Sequence, residues 1–393
     1  PTPTATANAT PTATGTVTAT ATPTASATAT ATATPVPGGS ITGTVTDSSG
    51  TPLANAQVAT MPASATTTTD ANGNYTLANV PAGTYDVIAA AGGYNATYVT
   101  GVTVTINNTT SAQALALAAE PPYTAMDTYY RPNQPGWNPA SDSNTWTDDT
   151  SVYPGSSDSI VNNQGYVDTY TAGTDRDEWL GNSYSDQLVS GDFNVLQYGQ
   201  DAYQHGARLL GRVRGTSTFI DFAINYATST LQIWYQSNGN WGMMAQVNVP
   251  AFQTGTWYHA KLLLVGNQAY GKVWAYGTSE PNWQITGTQS FLTSGMGGLR
   301  STFCDIYWAN FSSQAVTTVT GVVTDTNGHA IAGATVSDGT TTATTDANGR
   351  YVLIESNTSN SYTITASATG YSSQNTTVST TSLTSTTANF TLS

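Results

Sequence analysis

Residues 41–47 read Ile-Thr-Gly-Thr-Val-Thr-Asp, and residues 319–325 repeat them with two changes as Val-Thr-Gly-Val-Val-Thr-Asp. Further along the chain, Asp-Ala-Asn-Gly-Asn-Tyr at residues 70–75 returns as Asp-Ala-Asn-Gly-Arg-Tyr at residues 346–351. Because the same marks recur in the same order, the sequence predicts two copies of one structural module.

Between these marks lie short runs in which every second residue is apolar. Tyr85, Val87 and Ala89 fall on one face in the first copy, and residues 362–366 repeat the pattern in the second. Runs of this length, bounded by Gly, Asn, Asp and Pro, are typical of strands with one buried face. Each copy is therefore predicted to be a small antiparallel β-sandwich.

The order of the marks resembles the carboxypeptidase regulatory-like domain. A strand with Gly-x-Val-x-Asp is followed by a turn and by Thr-Asp-x-Asn-Gly-x-Tyr in both copies. The resemblance covers residues 40–118 and 315–393. It implies a seven-stranded sandwich of the transthyretin type, used as a spacer or scaffold module without catalytic residues of its own.

The Asp-Ala-Asn-Gly marks also contain oxygen ligands of the kind that calcium binds. A calcium loop of the EF-hand type needs further ligands that end in a glutamate, and no such series follows Asp70 or Asp346. Asn-Gly pairs supply the positive φ that a hairpin turn requires. Both marks are therefore predicted to be turns.

Residues 119–314, between the two copies, contain all nine tryptophans, both lysines and the single cysteine of the chain. Ile220, Phe222 and Ile224 alternate with other residues, Asn238-Gly239 predicts a turn, and no segment shows a sustained helical period. About 190 residues of this kind predict a two-sheet jelly roll of a dozen or so strands.

A second resemblance is carried by aromatic motifs of this central block: Asp127-Thr-Tyr-Tyr-Arg131 with Gly136-Trp137, Gly255-Thr-Trp257-Tyr258, Lys272-Val-Trp274, Glu280-Pro-Asn-Trp283, and Gly297-Gly-Leu-Arg-Ser301 with Asp305. They resemble the concanavalin A-like, laminin-G-like sandwiches of bacterial surface proteins. We expect the tryptophans at these motif positions, Trp257, Trp274 and Trp283, to lie in the core. The fold leaves function open, since it hosts lectins, glycanases and plain spacers.

The sequence lacks the residues that hydrolytic chemistry needs. A glucanase on this fold places Glu-x-Asp-x-x-Glu on one strand, and the pattern is absent from a chain with only four glutamates. The chain has no Gly-x-Ser-x-Gly nucleophile motif, and its three histidines have no metal-ligand spacing. Glu178, in the cluster 175–179, is expected in a polar loop. We predict that the chain is not an enzyme.

One hairpin has the residue types that bind sugars. Aromatic faces stack on pyranose rings while amide side chains bond the hydroxyls. The candidates are Trp234, Tyr235, Asn238, Asn240 and Trp241, since Asn238-Gly-Asn-Trp241 places an aromatic residue on a turn. The alternative is that Trp241 packs over a sheet edge.

Asp127 and Asp305 are candidate calcium ligands, because they lie near the expected paired terminal strands and lectin-like sandwiches often carry such an ion. Calcium is the one cofactor that the sequence suggests, and the alternative is that the protein has none.

The composition limits the possible partners. The chain has a formal net charge of −14 and a charged fraction of 8%, which disfavours nucleic acid and anionic membranes. No apolar run approaches the roughly 20 residues of a membrane span. Since the chain starts with Pro1 and contains one cysteine, we expect a processed, secreted or cell-surface protein without an internal disulfide.

Residues 1–39 form a Thr/Ala/Pro-rich tail whose composition is typical of O-glycosylated stalks. The candidate glycosylation sites are Thr18, Thr20, Thr22 and Thr24 in the tail and the sequon residues Asn95 and Asn375. The Thr-Ala alternation in the tail also suits a strand added to the sheet of a neighbour.

Together, these features predict an all-β chain of tandem β-sandwiches: two transthyretin-like modules around a central concanavalin A-like jelly roll. The favoured function is an extracellular structural subunit of a filament, stalk or sheath, joined to copies of itself through the tail and covered by covalent glycans. The alternative is a carbohydrate-binding adhesin or accessory module that binds polysaccharide through the jelly roll. A third possibility is a fragment of a larger secreted enzyme.

Overall fold

A computed structural model describes residues 37–61, 64–91, 94, 97–119, 124–149, 156–171, 173–199 and 205–393. Residues 37–393 belong to one compact unit. The regular elements of the described part are β-strands, so the all-β prediction is confirmed. No helix of this part is long and apolar enough to cross a bilayer. The predicted tail sites Thr18, Thr20, Thr22 and Thr24, and the sequon residue Asn95, lie outside the described residues.

The first small module is a sandwich of two four-stranded sheets. One sheet has the order β4-β1-β7, with β8 also paired to β1, and the other has the order β3-β2-β5-β6. The strands are β1 (Gly38–Asp47), β2 (Gln57–Met61), β3 (Thr66–Thr68), β4 (Asn74–Pro81), β5 (Gly83–Ala90), β6 (Thr97–Val104), β7 (Thr109–Ser111) and β8 (Leu115–Leu117).

The central module is a sandwich of a nine-stranded and a seven-stranded sheet. Its strands are β9 (Thr124–Asp127), β10 (Gln134–Pro135), β11 (Thr147–Asp148), β12 (Ser157–Val161), β13 (Gln164–Asp168), β14 (Asp175–Tyr184), β15 (Gln187–Tyr198), β16 (Gly206–Val213), β17 (Phe219–Asn225), β18 (Thr230–Ser237), β19 (Asn240–Asn248), β20 (Tyr258–Val265), β21 (Gln268–Ala275), β22 (Ile285–Thr288), β23 (Gly295–Thr302) and β24 (Cys304–Ala315).

The nine-stranded sheet has the order β10-β12-β13-β24-β15-β20-β21-β22, with β9 beside β24. The seven-stranded sheet has the order β11-β14-β23-β16-β17-β18-β19. Leu209, Phe222 and Leu299 on the seven-stranded sheet, and Phe193 and Trp308 on the nine-stranded one, belong to the continuous core between the two. Because successive side chains of a strand point to opposite faces, each sheet also has an outward face.

The second small module repeats the first. Its sheets have the orders β28-β25-β31, with β32 also paired to β25, and β27-β26-β29-β30. The strands are β25 (Thr317–Asp325), β26 (Thr335–Ser337), β27 (Thr342–Thr344), β28 (Arg350–Glu355), β29 (Asn360–Ser367), β30 (Gln374–Thr380), β31 (Ser385–Thr387) and β32 (Phe390–Leu392).

The sequence predicts antiparallel small sandwiches, and this is wrong for two pairings in each copy. β1 runs parallel to β7 and β8, and β25 runs parallel to β31 and β32. The last strands reach the first one after crossing from the other sheet, so no hairpin imposes an antiparallel direction. The resemblance implies seven strands, whereas residues 112–114, which belong to no strand, divide the last strand of the first copy in two.

The two Asp-Ala-Asn-Gly marks form turns. One carboxylate oxygen of Asp70 accepts hydrogen bonds from the backbone nitrogens of Asn72 and Asn74, each at 2.8 Å. Asp346 makes the same pair of bonds to the nitrogens of residues 348 and 350. Gly73 has a φ of +74°, a conformation that glycine adopts at little cost.

The first small module docks on the outward face of the nine-stranded sheet. Met61 of β2 and Ile88 of β5 share a buried apolar cluster with Tyr130, Trp257 and Ala309 of the central module. Dense apolar contact of this kind fixes one module against another.

The second small module docks on the same sheet. Val352 of β28 joins Leu188, Leu263 and Tyr270 in another apolar cluster. β24 ends at Ala315, two residues before β25 begins, and Val316 between them is 1% exposed. The side-chain amide of Asn357 forms a hydrogen bond on each side of this connection. It donates to the Ala315 carbonyl at 2.8 Å and accepts from the Thr317 nitrogen at 2.9 Å.

The motif tryptophans lie at these junctions, so their assignment to the core between the sheets is corrected. Trp257 contacts the first module, Trp274 packs beside His259 on the outward face, and Trp283 packs on Tyr270 near the second module. Trp257 and Trp274 are buried, and Trp283 is half-buried.

Candidate functional site

The candidate site is built on the hairpin of β18 and β19, which forms one edge of the seven-stranded sheet. Asn238 and Gly239 make the turn with φ values of +48° and +82°. In the register of the hairpin, Gln236 lies opposite Trp241, and Trp234 lies opposite Met243. These four side chains therefore share the outward face of the sheet.

Two indoles meet on this face. The rings of Trp234 and Trp241 are 6.4 Å apart and nearly perpendicular. Trp241 also packs edge-on against Phe219 of β17 at 5.6 Å. Trp241 nevertheless keeps 42% of its surface exposed, and Met243 keeps 51%. The edge of the sheet thus presents a solvent-facing aromatic patch, which we call the indole platform (Trp234, Trp241 and Met243).

A buried arginine supports the platform from below. The guanidinium carbon of Arg300, on β23, lies 5.4 Å from the ring centre of Trp241 and 5.8 Å from that of Phe219. A cation near an aromatic ring contributes about 0.5–2 kcal/mol, and more when water is excluded. Since Arg300 is only 4% exposed, this contact holds Trp241 against the sheet.

Acidic residues of β14 fix Arg300 in place. Its guanidinium donates to Asp177 at 2.7 Å and to Asp175 at 2.5 Å. The backbone nitrogen of Asp177 donates to the carboxylate of Asp149 at 3.1 Å. Burial raises the pKa of Asp177, although the charge of Arg300 opposes this, and burial raises the pKa of Asp149 as well.

Amide side chains extend the site along the same face. The Trp234 indole nitrogen donates to Gln232 Oε1 at 2.9 Å, and Gln232 Nε2 donates to Gln246 Oε1 at 2.9 Å. Deeper in the sheet, Arg208 donates to Asp221 at 2.5 Å. Aromatic faces beside amide, guanidinium and carboxylate groups are the combination that binds sugars, whose rings have apolar faces and hydroxyl edges.

The structure brings together part of the predicted sugar site. Trp234 and Trp241 lie side by side, and Asn238 and Asn240 are exposed at the adjoining turn. Tyr235 is a correction: it points to the opposite face, where it packs on Phe291 at 4.6 Å and against the core. The period of two along β18 separates it from its neighbour Trp234.

Arg300, Asp177 and Gln246 were not predicted as part of the site, because they come from strands far apart in the sequence. The one available signal was the acidic cluster 175–179, which was assigned to a loop. That assignment is wrong for Glu178. It lies on β14, is 2% exposed and pairs with Arg176 at 2.5 Å between the two sheets.

The predicted calcium pair is also corrected. Asp127 lies opposite Phe311 on β24, six residues from Asp305 on the same strand. At about 3.3 Å per residue the two carboxylates are roughly 20 Å apart, too far to bind one ion. Asp127 is fully buried and accepts hydrogen bonds from Arg131 at 2.6 Å and from the Trp146 indole at 2.8 Å.

Asp305 has different neighbours. It lies opposite Asp168 of β13 and accepts a hydrogen bond from Gln197. Burial raises the pKa of Asp305, and the neighbouring Asp168 acts in the same direction. Within the described ranges, no group of three or more His, Cys, Asp or Glu residues has a geometry suited to a metal ion.

The predicted glycosylation residue Asn375 lies on β30, opposite Thr365, and its side chain is exposed. Cys304 is fully buried, its sulfur lies 3.6 Å from the Gly206 carbonyl, and burial raises its pKa to about 12. It is therefore an unreactive core thiol in the folded protein.

Comparison with known families confirms part of the sequence analysis. The family model described as the carboxypeptidase regulatory-like domain matches residues 40–118 and 318–393. Among curated proteins, no significant match was found.

Three solved structures illustrate what this chain is similar to. The carbohydrate-binding module CBM66 from Bacillus subtilis is 15% identical, with 38% of this chain and 86% of that chain covered and a TM-score of 0.32. A Bacillus subtilis protein of unknown function with a galectin-like fold is 12% identical, with 43% and 88% covered and a TM-score of 0.31. The calcium-bound exoplasmic/lumenal domain of VIP36 is 10% identical, with 49% and 89% covered and a TM-score of 0.35.

Proposed function

We propose that this chain is an extracellular, non-catalytic carbohydrate-binding protein whose glycan site is the indole platform of the central module. The observation that carries the proposal is the exposure of Trp241. This large aromatic side chain is 42% exposed although Trp234, Phe219 and Arg300 hold it in one orientation. An aromatic face that is fixed before binding loses little conformational entropy when a ligand covers it.

The groups around Trp241 suit a neutral sugar. Gln246 and Asn240 are exposed and offer both donors and acceptors to hydroxyl groups. The Arg300 and Arg208 guanidinium groups are paired with carboxylates, so they do not favour an anionic ligand. With a net charge of −14 on the whole chain, a neutral polysaccharide meets no repulsion.

The arrangement of the modules fits this role. Both apolar junction clusters involve the outward face of the nine-stranded sheet and the segments beside it. The indole platform lies on the other sheet of the sandwich. In the proposal, the two small modules act as rigid spacers that present the platform to a surface-bound glycan.

A direct test is to screen the full chain on an array of neutral and acidic glycans and to measure each positive by isothermal titration calorimetry. We expect binding to at least one neutral polysaccharide and the same affinity in EDTA, since the platform contains no ion ligand set. Failure to bind any neutral glycan at millimolar concentration, with folding verified by circular dichroism, would overturn the proposal. Binding that disappears in EDTA would overturn the metal-free site.

A second candidate function is the filament subunit, favoured by the docked modules. The apolar junctions and the hydrogen bonds of Asn357 join residues 37–393 into one compact unit, as a load-bearing repeat requires. The tail that would join the subunits lies outside the described residues. Electron microscopy of the whole chain beside residues 40–393 tests the idea. Filaments that depend on the tail support it, whereas single particles in both samples contradict it.

A further inference from the structure

The junction between the first small module and the central module contains a buried histidine between two buried carboxylates. His259 lies on β20, Asp192 on the neighbouring β15, and Asp86 on β5 of the first module. Their exposed fractions are 3%, 6% and 3%. The three groups therefore connect two modules in a place that excludes most water.

A continuous series of polar contacts crosses the junction. His259 Nδ1 lies 2.7 Å from Asp192 Oδ1, and His259 Nε2 lies 3.6 Å from Asp86 Oδ2. The second oxygen of Asp192 accepts hydrogen bonds from the Tyr276 hydroxyl at 2.7 Å and from the Asn310 amide at 2.6 Å. One ring nitrogen is thus hydrogen-bonded to Asp192, and the other faces the Asp86 carboxylate at the distance of an ion pair.

Two aromatic rings enclose the imidazole. Tyr276 of the central module stacks on it at 4.1 Å, and Tyr98 of the first module stacks on it at 4.6 Å. The imidazole is thus held by a carboxylate and an aromatic ring from each module. A cation between two aromatic faces and two carboxylates is stabilised in all of these directions.

We infer that the imidazolium of His259 is an electrostatic latch that holds the first small module on the central module, and that the junction loosens when the imidazole loses its proton at alkaline pH. If the imidazole were neutral, the buried carboxylates of Asp86 and Asp192 would lie on either side of an uncharged ring, with no cation between them. Burying unbalanced charge is costly, so the module would move away and let water reach Asp86.

The electrostatics support the inference. Burial lowers the pKa of His259, but the charge and hydrogen bond of Asp192 and the carboxylate of Asp86 outweigh it and raise the pKa to about 9. A pKa that is higher in the docked state means that docking is favoured below the ordinary histidine value of about 6.5 and loses this contribution as the pH rises through 9.

The tyrosines around the imidazole keep their protons in this window. Burial raises the pKa of Tyr98, Tyr276 and Tyr130 above the ordinary tyrosine value of about 10. Glu280, the next carboxylate, binds Lys261 at 2.9 Å. A cavity of about 250 Å³ lined by His259, Asp192 and Tyr98 adjoins the junction and provides a route for proton exchange.

The inference is tested in the full chain with a fluorescent donor and acceptor on cysteines introduced at the exposed positions Ser48 of the first module and Ala227 of the central module. The native Cys304 is buried and is not labelled. Transfer efficiency is measured between pH 6 and pH 10.5, and the His259 imidazole is titrated in parallel by nuclear magnetic resonance.

For the parent chain, we expect constant transfer below pH 8 and a change with its midpoint near pH 9 that coincides with the imidazole titration. Asp86→Asn removes one carboxylate and should lower the midpoint of the imidazole titration by about one pH unit or more. Because no unbalanced carboxylate then remains on the first module, the change in transfer should be smaller than in the parent chain. His259→Gln should remove the transition, and His329→Gln, at a histidine whose side chain is 79% exposed, should leave it unchanged.

Two results would overturn the latch. One is an imidazole that titrates while transfer stays constant to pH 10.5, and the other is a transition that survives in His259→Gln. If His259→Gln does not fold, Asp86→Asn and the parent chain still decide the matter, because an imidazole midpoint and a transfer change that are both unaltered in Asp86→Asn contradict the inference.

Discussion

Replacement of Trp241 by alanine tests the indole platform quantitatively. A tryptophan side chain offers about 250 Å², and Trp241 is 42% exposed, which leaves about 100 Å² for a ligand to cover. At about 25 cal/mol per Å², full coverage contributes about 2.5 kcal/mol and partial coverage about 1 kcal/mol. Trp241→Ala is therefore expected to weaken glycan binding by about 5- to 70-fold.

The assay is isothermal titration calorimetry with a glycan that the parent chain binds, together with a thermal denaturation curve for each variant. Trp241→Phe keeps an aromatic face of smaller area and should lie between the parent chain and Trp241→Ala. Tyr371→Ala is the matched control, because Tyr371 is 40% exposed but belongs to the second small module. Its affinity should equal that of the parent chain.

One result would refute the reasoning. If Trp241→Ala binds within twofold of the parent chain while its melting temperature falls, Trp241 is a packing residue over the sheet edge. The sugar site would then have to be sought elsewhere. Equal losses in Trp241→Ala and Tyr371→Ala would also count against the platform, since they would point to a general effect of the lost aromatic surface.

Two further predictions concern stability. Arg212 is 1% exposed and donates to the carbonyls of Ser185, Gly266 and Leu292 at 2.7–3.0 Å, so Arg212→Met should cost about 3–5 kcal/mol of unfolding free energy. Arg214 is exposed and lies two residues further along the chain, so Arg214→Met should cost about 0.5 kcal/mol or less. Equal losses of unfolding free energy in the two variants, measured by urea denaturation, would contradict the role of Arg212. Burial and the charge of Asp338 raise the pKa of Glu355 to about 7. Protonated Glu355 therefore stabilises the folded state below the ordinary glutamate pKa of about 4.3, and this stabilisation is lost as the pH rises through 7. In Glu355→Gln, the melting temperature should therefore depend less on pH between pH 5 and 8 than in the parent chain. An equally steep dependence in both would contradict the role of Glu355.

Local patterns in the sequence were enough to predict the strands. Val87 and Ala89 are buried as their alternation indicates, and the Asn-Gly pairs at Asn72 and Asn238 form turns with positive φ. The same period of two places Tyr235 on the opposite face from Trp234. The sugar-site prediction grouped these two residues because they are adjacent in the sequence. It was wrong for Tyr235, because adjacent residues of a strand point to opposite faces.

Glu178 and the motif tryptophans show where local patterns fail. An acidic run suggests a solvated loop, but Arg176 on the same strand neutralises Glu178 inside the sandwich. Trp257 was expected in the core, and it is buried by a module that begins more than 150 residues earlier in the chain. Burial by a distant partner leaves no periodic signal around the buried residue.

By itself, the sequence determined the all-β class, the duplicated small module and the strand and turn positions, because these depend on side-chain alternation and on turn residues within a few positions of each other. Only the tertiary structure decided which strands are neighbours. It brought Asp177 of β14, Arg300 of β23 and Trp241 of β19 to one face, and it brought Asp86 to His259. Strand order and module docking depend on the packing of complementary faces between residues far apart in the sequence. The alternation along one strand does not indicate which other strand lies beside it.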